Sequence, residues 1–411
     1  MNRIILAGLL LFAILSWSQA QENSEKIELV KSGKLAEARA DWWGFNETDS
    51  TKALQAAIDS GVKKLIVPNM GKPWIVNPIS LASDQEIMIE PGTVIEAIKG
   101  GFKGKKDSLF SAKSKKNITI SGKDAILRMN KKDYQDKTQY EPAEWRMGIA
   151  LFSCENVKIT GLTIMSSGGD GIYISTCREP INYCKDIVIK DCVIDDNHRQ
   201  GISVISVVNL LIENCVMKNT KGASPEGGID FEPNVKQERL FGITVKNCVF
   251  ENNKGAGVII CSHPGADTEP ISINFENCKA IGTGFTGGFG PFPPLSKIDA
   301  KMSNCTETVN GKIKVYNDFW KDFQNMQTLD KQKQEIADRV KRIDVRGMQL
   351  KPLDVAAYGQ TGKLPMPILR NKSSFIVCAN EGEKFSFKTN FMRDYGKGMS
   401  VQLLSPSGKT D

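Results

Sequence analysis

Apolar and polar residues alternate along much of this chain in short segments that return about every 30 residues. The alternation has the period of a β-strand, whose successive side chains point to opposite faces. Five segments carry a cysteine after asparagine or aspartate, with spacings of 23, 33, 30 and 27 residues: Asp191-Cys192, Asn214-Cys215, Asn247-Cys248, Asn277-Cys278 and Asn304-Cys305. No helical pattern lies between these segments. Because such repetition is typical of a solenoid, we predict an all-β protein, a right-handed parallel β-helix over residues 64–316.

Segments on either side of the predicted coils have different patterns. Within the N-terminal segment 21–63, residues 51–60 have apolar positions at helical spacing and precede a glycine, which predicts a short helix. This helix should cap the open apolar end of the solenoid. Residues 317–346 have a charged helical pattern, and residues 347–411 contain a few strand-like runs. We expect a helical segment followed by a small, incomplete β-rich region.

The first 20 residues have the composition of a secretory signal peptide. Arg3 is followed by an apolar run and then by the small-x-small sequence Ser18-Gln19-Ala20. The apolar run is short for a membrane span. We therefore expect a secreted or periplasmic protein without a membrane anchor, and the solenoid predicts a monomer.

The net charge of the chain bears on the class of molecule that it binds. The formal net charge of +7 is compatible with an anionic polymer but does not require one, and no segment resembles a nucleic-acid-binding module.

The five repeated cysteines should stack from coil to coil as buried free thiols, with the amides beside them hydrogen-bonded along the stack. Cys177 and Cys184 flank a loop and are candidates for a disulfide.

A second strand in each coil follows a glycine, as in DGIYIS (170–175), QGISVI (200–205) and GGIDFE (227–232). The apolar residue after the glycine should point inward, which leaves two outward columns. One column contains Ala150, Tyr173, Ser203, Asp230 and Ile259, and the other contains Phe152, Ser175, Ile205, Glu232 and Cys261. Asp230 and Glu232 should therefore share one face, with backbones about 6–7 Å apart.

This face is the candidate active site. The predicted catalytic residues are Asp170, His198, Arg199, Asp230 and Glu232. Two nearby carboxyls suit glycosidic cleavage as acid and base or acid and nucleophile, because crowding raises one pKa. Arg199 can pair with a carboxylate or with an anionic group of the substrate. The alternative is a solvated ion pair with no catalytic role.

Residues around this face are candidates for binding the substrate. The predicted contacts are Tyr173, Gln200, His263, Trp145 and Arg146. Aromatic residues of the insertion 128–146 and of the segment 283–294 either wall a groove or pack their loops: Tyr134, Tyr140, Trp145, Phe285, Phe289 and Phe292. No cofactor is expected, although Asp195-Asp196 offers oxygens that suit Ca²⁺.

Over residues 40–316 the chain resembles the pectin lyase-like superfamily, both in its coils and in DSTKALQAAIDSGVKKLIVP. SGGDGIYI resembles the Asn-Thr-Asp-Gly coil of polygalacturonase-type glycoside hydrolases, which implies a catalytic role for Asp170. Where that family has two further aspartates, this chain has Arg199-Gln200. GIDFEP is similar to the Asp-Pro-His region of mannuronan epimerases, which implies a role for Asp230, with Glu232 in place of histidine.

Three functions follow from the residues and the resemblance. The first is an exported glycoside hydrolase that cleaves a polysaccharide with Asp230 and Glu232. The second is a lyase or epimerase acting on a uronic-acid polymer, with His198, His263 or Tyr173 as the base. The third is a carbohydrate-binding protein without catalysis.

Overall fold

The computed structural model describes residues 23–177, 181–235, 237–260, 271–285 and 298–317, together with the backbone of three short strands after residue 367. Contacts divide the chain into two units, residues 1–317 and 318–411. In the first unit, residues 23–31 are helical (α1) and Thr51–Asp59 form α2, while Ala40–Trp43 and Asp133–Gln135 form 3-10 helices. No described helix is long and apolar enough to cross a membrane.

The described strands of the first unit form two sheets. The larger, 18-stranded sheet contains β1 (Glu37–Arg39), β2 (Lys64–Val67), β3 (Trp74–Val76), β5 (Gln85–Ile89), β6 (Val94–Ala97), β8 (Lys116–Arg128), β10 (Glu155–Met165), β12 (Cys184–Lys190), β13 (Val193–Asp195), β15 (Val207–Glu213), β16 (Val216–Lys218), β18 (Leu240–Lys246), β19 (Val249–Glu251), β21 (Ile271–Glu276), β22 (Lys279–Ile281), β23 (Ile298–Ser303), β24 (Cys305–Val309) and β25 (Lys312–Tyr316). The seven-stranded sheet contains β4 (Ile79–Ser80), β7 (Phe110–Lys113), β9 (Ile149–Phe152), β11 (Ile172–Ser175), β14 (Gln200–Val204), β17 (Gly227–Phe231) and β20 (Val258–Ile260).

Strand pairing confirms the predicted β-helix. In the central coils β12 pairs with β15, β13 with β16 and β14 with β17, always in parallel, so each of these coils contributes one strand to each of three ladders. The long strands β8 and β10 run through two of the ladders. β24 and β25 form an antiparallel hairpin. Parallel β1 also pairs with β2, so the sheet starts one strand before the predicted boundary at residue 64.

The predicted helix at the N-terminal end of the coils is confirmed as α2. It buries Leu54, Ala57 and Ile58 on one face, and Gly61 follows it with a φ of +73°. The amide of Gln85 donates to the backbone carbonyls of Ile58 at 3.1 Å and Val62 at 2.9 Å, which satisfies an acceptor at the helix end. Apolar side chains of α2 therefore join the core of the first coils.

The stacked cysteines and amides are also confirmed. All five repeated cysteines are buried free thiols. The four repeated asparagines have φ between 51° and 54°, and each Nδ2 donates to the side-chain oxygen of the preceding coil at 3.0–3.3 Å. Asparagine tolerates this left-handed conformation better than most residues do. Cys177 and Cys184 are both free, Cys177 exposed and Cys184 buried, so the structure has no bridge between them.

Substitution of Asn247 should separate the two contributions of this amide ladder. Asn247→Ala loses a hydrogen bond on each side and places a β-carbon in left-handed backbone, so we expect it to lower the free energy of unfolding by about 2–3 kcal/mol. Asn247→Gly loses the same hydrogen bonds without the strain and should cost about 1–2 kcal/mol. Urea unfolding measures both, and equal losses would contradict the strain argument.

The second unit contains a described three-stranded sheet of β26 (Ile368–Asn371), β27 (Ser374–Cys378) and β28 (Ser400–Leu404). β26 and β27 are antiparallel, whereas β27 and β28 are parallel. The predicted helical segment 317–346 lies outside the described residues, apart from its first residue.

Candidate functional site

The seven-stranded sheet has the register predicted for the first outward column. Ala150, Tyr173, Ser203, Asp230 and Ile259 are paired from strand to strand, which places one outward column across β9, β11, β14, β17 and β20. In the next column, Phe152 pairs with Lys113 on one side and with Ser175 on the other. This surface carries the candidate site.

Glycines at the start of four of these strands are required by the close approach of successive coils. A β-carbon on Gly148, Gly171, Gly201 or Gly228 would lie less than 3.0 Å from the carbonyl oxygen of the glycine in the following coil. That contact cannot be relieved by a side-chain rotation, because both partners are backbone. The repeated glycine therefore serves the packing of the strands that position the site.

Arg199 lies at the centre of a group of carboxylates. Its guanidinium nitrogens lie 3.0 Å from Glu232 Oε2, 3.5 Å from Asp170 Oδ2 and 3.9 Å from Glu144 Oε2. The Arg199 side chain is 13% exposed, Glu232 is 19% exposed and Asp170 is fully buried. We call Asp170, Arg199, Asp230, Glu232 and Glu144 the acidic cluster.

The charges of the acidic cluster stabilise Arg199 in its charged form. Burial alone would lower the pKa of Arg199, but the carboxylates of Asp170, Glu232 and Asp230 outweigh it and raise that pKa above its usual value. Arg199 is therefore a permanent cation here. Its positive charge faces the carboxylates of Asp170, Glu232 and Asp230.

The carboxyl of Asp170 has a raised pKa. Burial raises its pKa to about 6, with Glu232 adding to the shift, although Arg199 and the Ser203 hydroxyl favour the charged form. A carboxyl that takes up a proton near pH 6 can act as a general acid close to neutrality. The proton affinity of Asp170 therefore suits acid catalysis, and its catalytic role stays a prediction.

Asp230 is fully buried, in contrast to the exposed position that its outward column suggests. Its Oδ2 accepts a hydrogen bond from Gln200 Nε2 at 2.9 Å, and Gln200 Oε1 accepts one from the Gly227 amide at 2.7 Å. Gln200 is itself buried with both ends of its amide engaged. The structure therefore places Gln200 as a support for Asp230, not on the surface where a substrate contact was expected.

His198 joins neighbouring coils. Its backbone amide donates to Gly169 at 3.0 Å, and its carbonyl accepts from Ala223 at 2.8 Å. The buried ring lies against Gly222, where a β-carbon would come within 3.0 Å of Nδ1. This position fits a role in the turn better than the predicted catalytic role.

Tyr173 and Phe152 form a partly exposed aromatic pair beside the cluster, with ring centroids 5.8 Å apart. Trp145 is 42% exposed and follows Glu144 in the insertion. Both positions agree with the predicted contacts to a substrate. His263, Phe289 and Phe292 lie outside the described residues.

Arg146 has a different place from the predicted one. It is fully buried, where it donates to the backbone carbonyls of Phe102 at 2.8 Å and Glu141 at 3.2 Å, and it lies near the rings of Tyr134 and Tyr140. A guanidinium enclosed in this way anchors the insertion and cannot reach a polymer. Tyr134, Tyr140 and Phe285 are likewise buried, so they pack loops and core and do not line a groove.

Asp195 and Asp196 do not converge on a common point. Asp196 pairs with Lys131 at 2.8 Å, whereas Asp195 accepts from Asn219 at 2.8 Å and lies 3.6 Å from Lys218. Among the described residues, no group of three His, Cys, Asp or Glu side chains is placed to hold a metal ion. These two carboxylates take part in contacts between coils.

Sequence reasoning missed Glu144. It lies in the insertion 128–146, which has no repeat, and the β-strand period that located the other carboxylates does not extend to it. Its neighbour Trp145 was the nearest indication, because aromatic residues in a long insertion suggest that the insertion forms part of the surface above the strands.

Comparison with known proteins agrees with the architecture. A family model described as "Right handed beta helix region" matches residues 106–234 and 143–290. The chain is similar to YclG of Bacillus subtilis (28% identical over 161 residues, 38% of this chain and 27% of YclG) and to YorA of the same bacterium (26% identical over 174 residues, 40% of this chain and 29% of YorA). The chain thus matches less than a third of the length of either relative.

Among solved structures, a family 28 exopolygalacturonase of Yersinia enterocolitica is similar over 66% of this chain and 59% of its own, with 15% identity and a TM-score of 0.49. This likeness concerns the fold alone. The three parallel ladders and the family match together assign the architecture. The chain is a right-handed parallel β-helix protein.

Proposed function

We propose that this chain is an exported glycoside hydrolase that cleaves a polysaccharide at the acidic cluster. The observation that carries the proposal is the contrast between two carboxyls that share Arg199. Asp170 is fully buried with a pKa raised to about 6, whereas Glu232 is partly exposed and lies 3.0 Å from the guanidinium. Asp170 is thus suited to hold a proton, and Glu232 contacts the same guanidinium from a partly exposed position.

In this mechanism Asp170 donates a proton to the leaving oxygen of the glycosidic bond, and Glu232 acts as base or nucleophile. Asp230, fixed by Gln200, adds negative charge that stabilises the oxocarbenium-like transition state. Arg199 covers Asp170 in the free protein. Because its contact with Asp170 is 3.5 Å and its contact with Glu232 is 3.0 Å, we expect substrate binding to displace Arg199 from Asp170 first.

The same contacts give less support to a lyase or epimerase. Such an enzyme needs a cation to neutralise the carboxylate of a uronic acid, yet Arg199 already faces Asp170, Glu232 and Glu144. A candidate base, His198, is buried against Gly222. A buried carboxyl with a raised pKa occurs more often at catalytic sites than on surfaces that only bind carbohydrate, which favours the hydrolase over a binding protein.

The test is a screen of the purified protein against neutral and anionic polysaccharides, with reducing ends and ultraviolet absorbance read from the same wells. A hydrolase releases reducing ends without new absorbance, since no double bond forms. Reducing ends that rise together with absorbance would instead establish a lyase. A change in sugar composition without shorter chains would establish an epimerase.

The aromatic pair should hold a sugar ring next to the cleaved bond. We expect Tyr173→Ala to raise KM about tenfold and to change kcat by less than about threefold, because stacking contributes to substrate and transition state alike. Tyr183→Ala is the matched control, since Tyr183 pairs with Arg239 away from the column of Tyr173. Steady-state kinetics on the cleaved polymer measure both, and equal KM changes would contradict this role.

A further inference from the structure

Gly168 and Gly169 lie directly against the insertion 128–146. A β-carbon on Gly168 would lie 2.5 Å from Tyr134 Cδ2, and a β-carbon on Gly169 would lie 2.5 Å from the carbonyl oxygen of Glu144. Neither glycine has a left-handed backbone conformation. The absence of a side chain at these two positions therefore serves the close packing of the insertion and not a turn.

Gly169 also contacts the residues of the acidic cluster. Its carbonyl oxygen accepts hydrogen bonds from two backbone amides of the following coil, those of His198 and Arg199, each at 3.0 Å. Asp170 follows it in the chain, and the Asp170 amide donates to Met147 Sδ at 3.1 Å. Gly169 is thus joined to Asp170 by a peptide bond and to Arg199 by a hydrogen bond, while its α-carbon faces the insertion.

Arg146 holds the same end of the insertion in place. Its buried guanidinium donates to the backbone carbonyls of Phe102 at 2.8 Å and Glu141 at 3.2 Å. Its backbone nitrogen lies against Gly169, since a β-carbon there would come 3.0 Å from it. Because its side chain is enclosed and its backbone rests on Gly169, Arg146 fixes the end of the insertion to the coil.

From these contacts we infer that Gly169 is a positioning residue, which seats the insertion against the coil and thereby fixes Glu144 and Arg199 around Asp170. The inference rests on the proposed function, because it concerns the carboxyl assigned as the acid. An alanine at position 169 would push the Glu144 carbonyl away, since a rotation of a side chain cannot relieve a contact between two backbones.

Displacement of the insertion should change the titration of Asp170 in one direction. Water admitted beside this carboxyl would weaken the desolvation that raises its pKa. Withdrawal of Glu144 from Arg199 would leave the guanidinium a closer partner for Asp170, which also lowers that pKa. Glu232 and Tyr173, which interact with Asp170 as well, lie on the coils and not on the insertion.

The test follows the titration of Asp170 without turnover. The stability of Asp170→Asn relative to the parent protein should rise between pH 4 and pH 7, because the folded protein binds the Asp170 proton more tightly than the unfolded chain does. In a Gly169→Ala background this rise should shrink to about half or less, since the folded pKa moves toward the unfolded value. Gly122→Ala is the matched control. Its β-carbon would lie 2.8 Å from Ala125 and Leu162, away from the cluster, so the rise should not change.

An unchanged rise in Gly169→Ala, an equal reduction in Gly122→Ala, or no rise in the wild-type background would overturn the inference. If Gly169→Ala does not fold, Arg146→Lys loosens the same end of the insertion and should also reduce the rise, whereas Arg39→Lys should not. An unchanged rise in Arg146→Lys would then overturn it. Because unfolding needs no substrate, a reduced rise without hydrolysis refutes only the proposed function, and hydrolysis with an unchanged rise refutes only this inference.

Discussion

Replacement of Arg199 by leucine should lower the free energy of unfolding by about 3–5 kcal/mol at pH 7, because it removes the buried cation that Asp170, Glu232 and Asp230 share. Arg39→Leu is the matched control. Arg39 also contacts two carboxylates, Asp41 at 3.3 Å and Glu90 at 3.0 Å, but its side chain is 40% exposed. A solvated pair of this kind contributes less than about 1 kcal/mol.

The double variant Arg199→Leu/Asp170→Asn identifies the source of the loss. If the uncompensated carboxylate is responsible, removing it should recover much of the stability, and the two substitutions will be strongly non-additive. The loss in Arg199→Leu should also shrink at pH 5, where Asp170 is protonated. Urea unfolding at both pH values measures these effects. A loss no larger than that of Arg39→Leu, or no recovery in the double variant, would contradict the account.

Asp170→Asn should abolish cleavage and, at neutral pH, stabilise the protein. General acid catalysis contributes roughly 10²–10⁴-fold, so we expect kcat/KM to fall about a thousandfold. Asp191→Asn is the matched control, because Asp191 lies in a turn whose equivalent in the next coil is Asn214. Reducing-end assays on the cleaved polymer measure both variants. Retention of activity in Asp170→Asn would refute its role as the acid.

The stability change follows from the raised pKa of Asp170. The folded pKa of about 6 exceeds an unfolded pKa near 3.9, so the folded protein binds this proton more tightly. This contribution to stability is complete below about pH 4 and is lost as pH rises through 6, which amounts to about 3 kcal/mol. Asparagine has no such titration. The stability of Asp170→Asn relative to wild type should therefore increase between pH 4 and pH 7, as measured by unfolding at each pH.

The fold could be predicted because successive coils repeat a local pattern of apolar and polar residues. Strand alternation, left-handed asparagines such as Asn247 and stacked cysteines such as Cys248 recur in successive coils between residues 191 and 305 for the same physical reason, the close stacking of equivalent backbone positions. β1 escaped prediction because a three-residue strand carries too few alternating positions to be recognised.

The face of the sheet that carries the candidate site could be predicted from the sequence, but the burial of its side chains could not. Alternation assigned Asp230 to the outer surface of the sheet, and its pairing with Ser203 confirms that register. Whether an outward side chain is exposed depends on the loops laid over the sheet, which have no period. Asp230 is fully buried although it lies in the outward column, and Glu144 reaches Arg199 from such a loop.

The pH dependence of kcat/KM tests the central claim, that Asp170 donates the proton in glycosidic cleavage, most directly. This quantity reports the ionisation of the free enzyme, which is the state described here. On whichever polymer is hydrolysed, activity should fall as pH rises through about 6, where Asp170 loses its proton. A profile that stays flat from pH 5 to pH 8 would contradict the assignment of Asp170 as the acid.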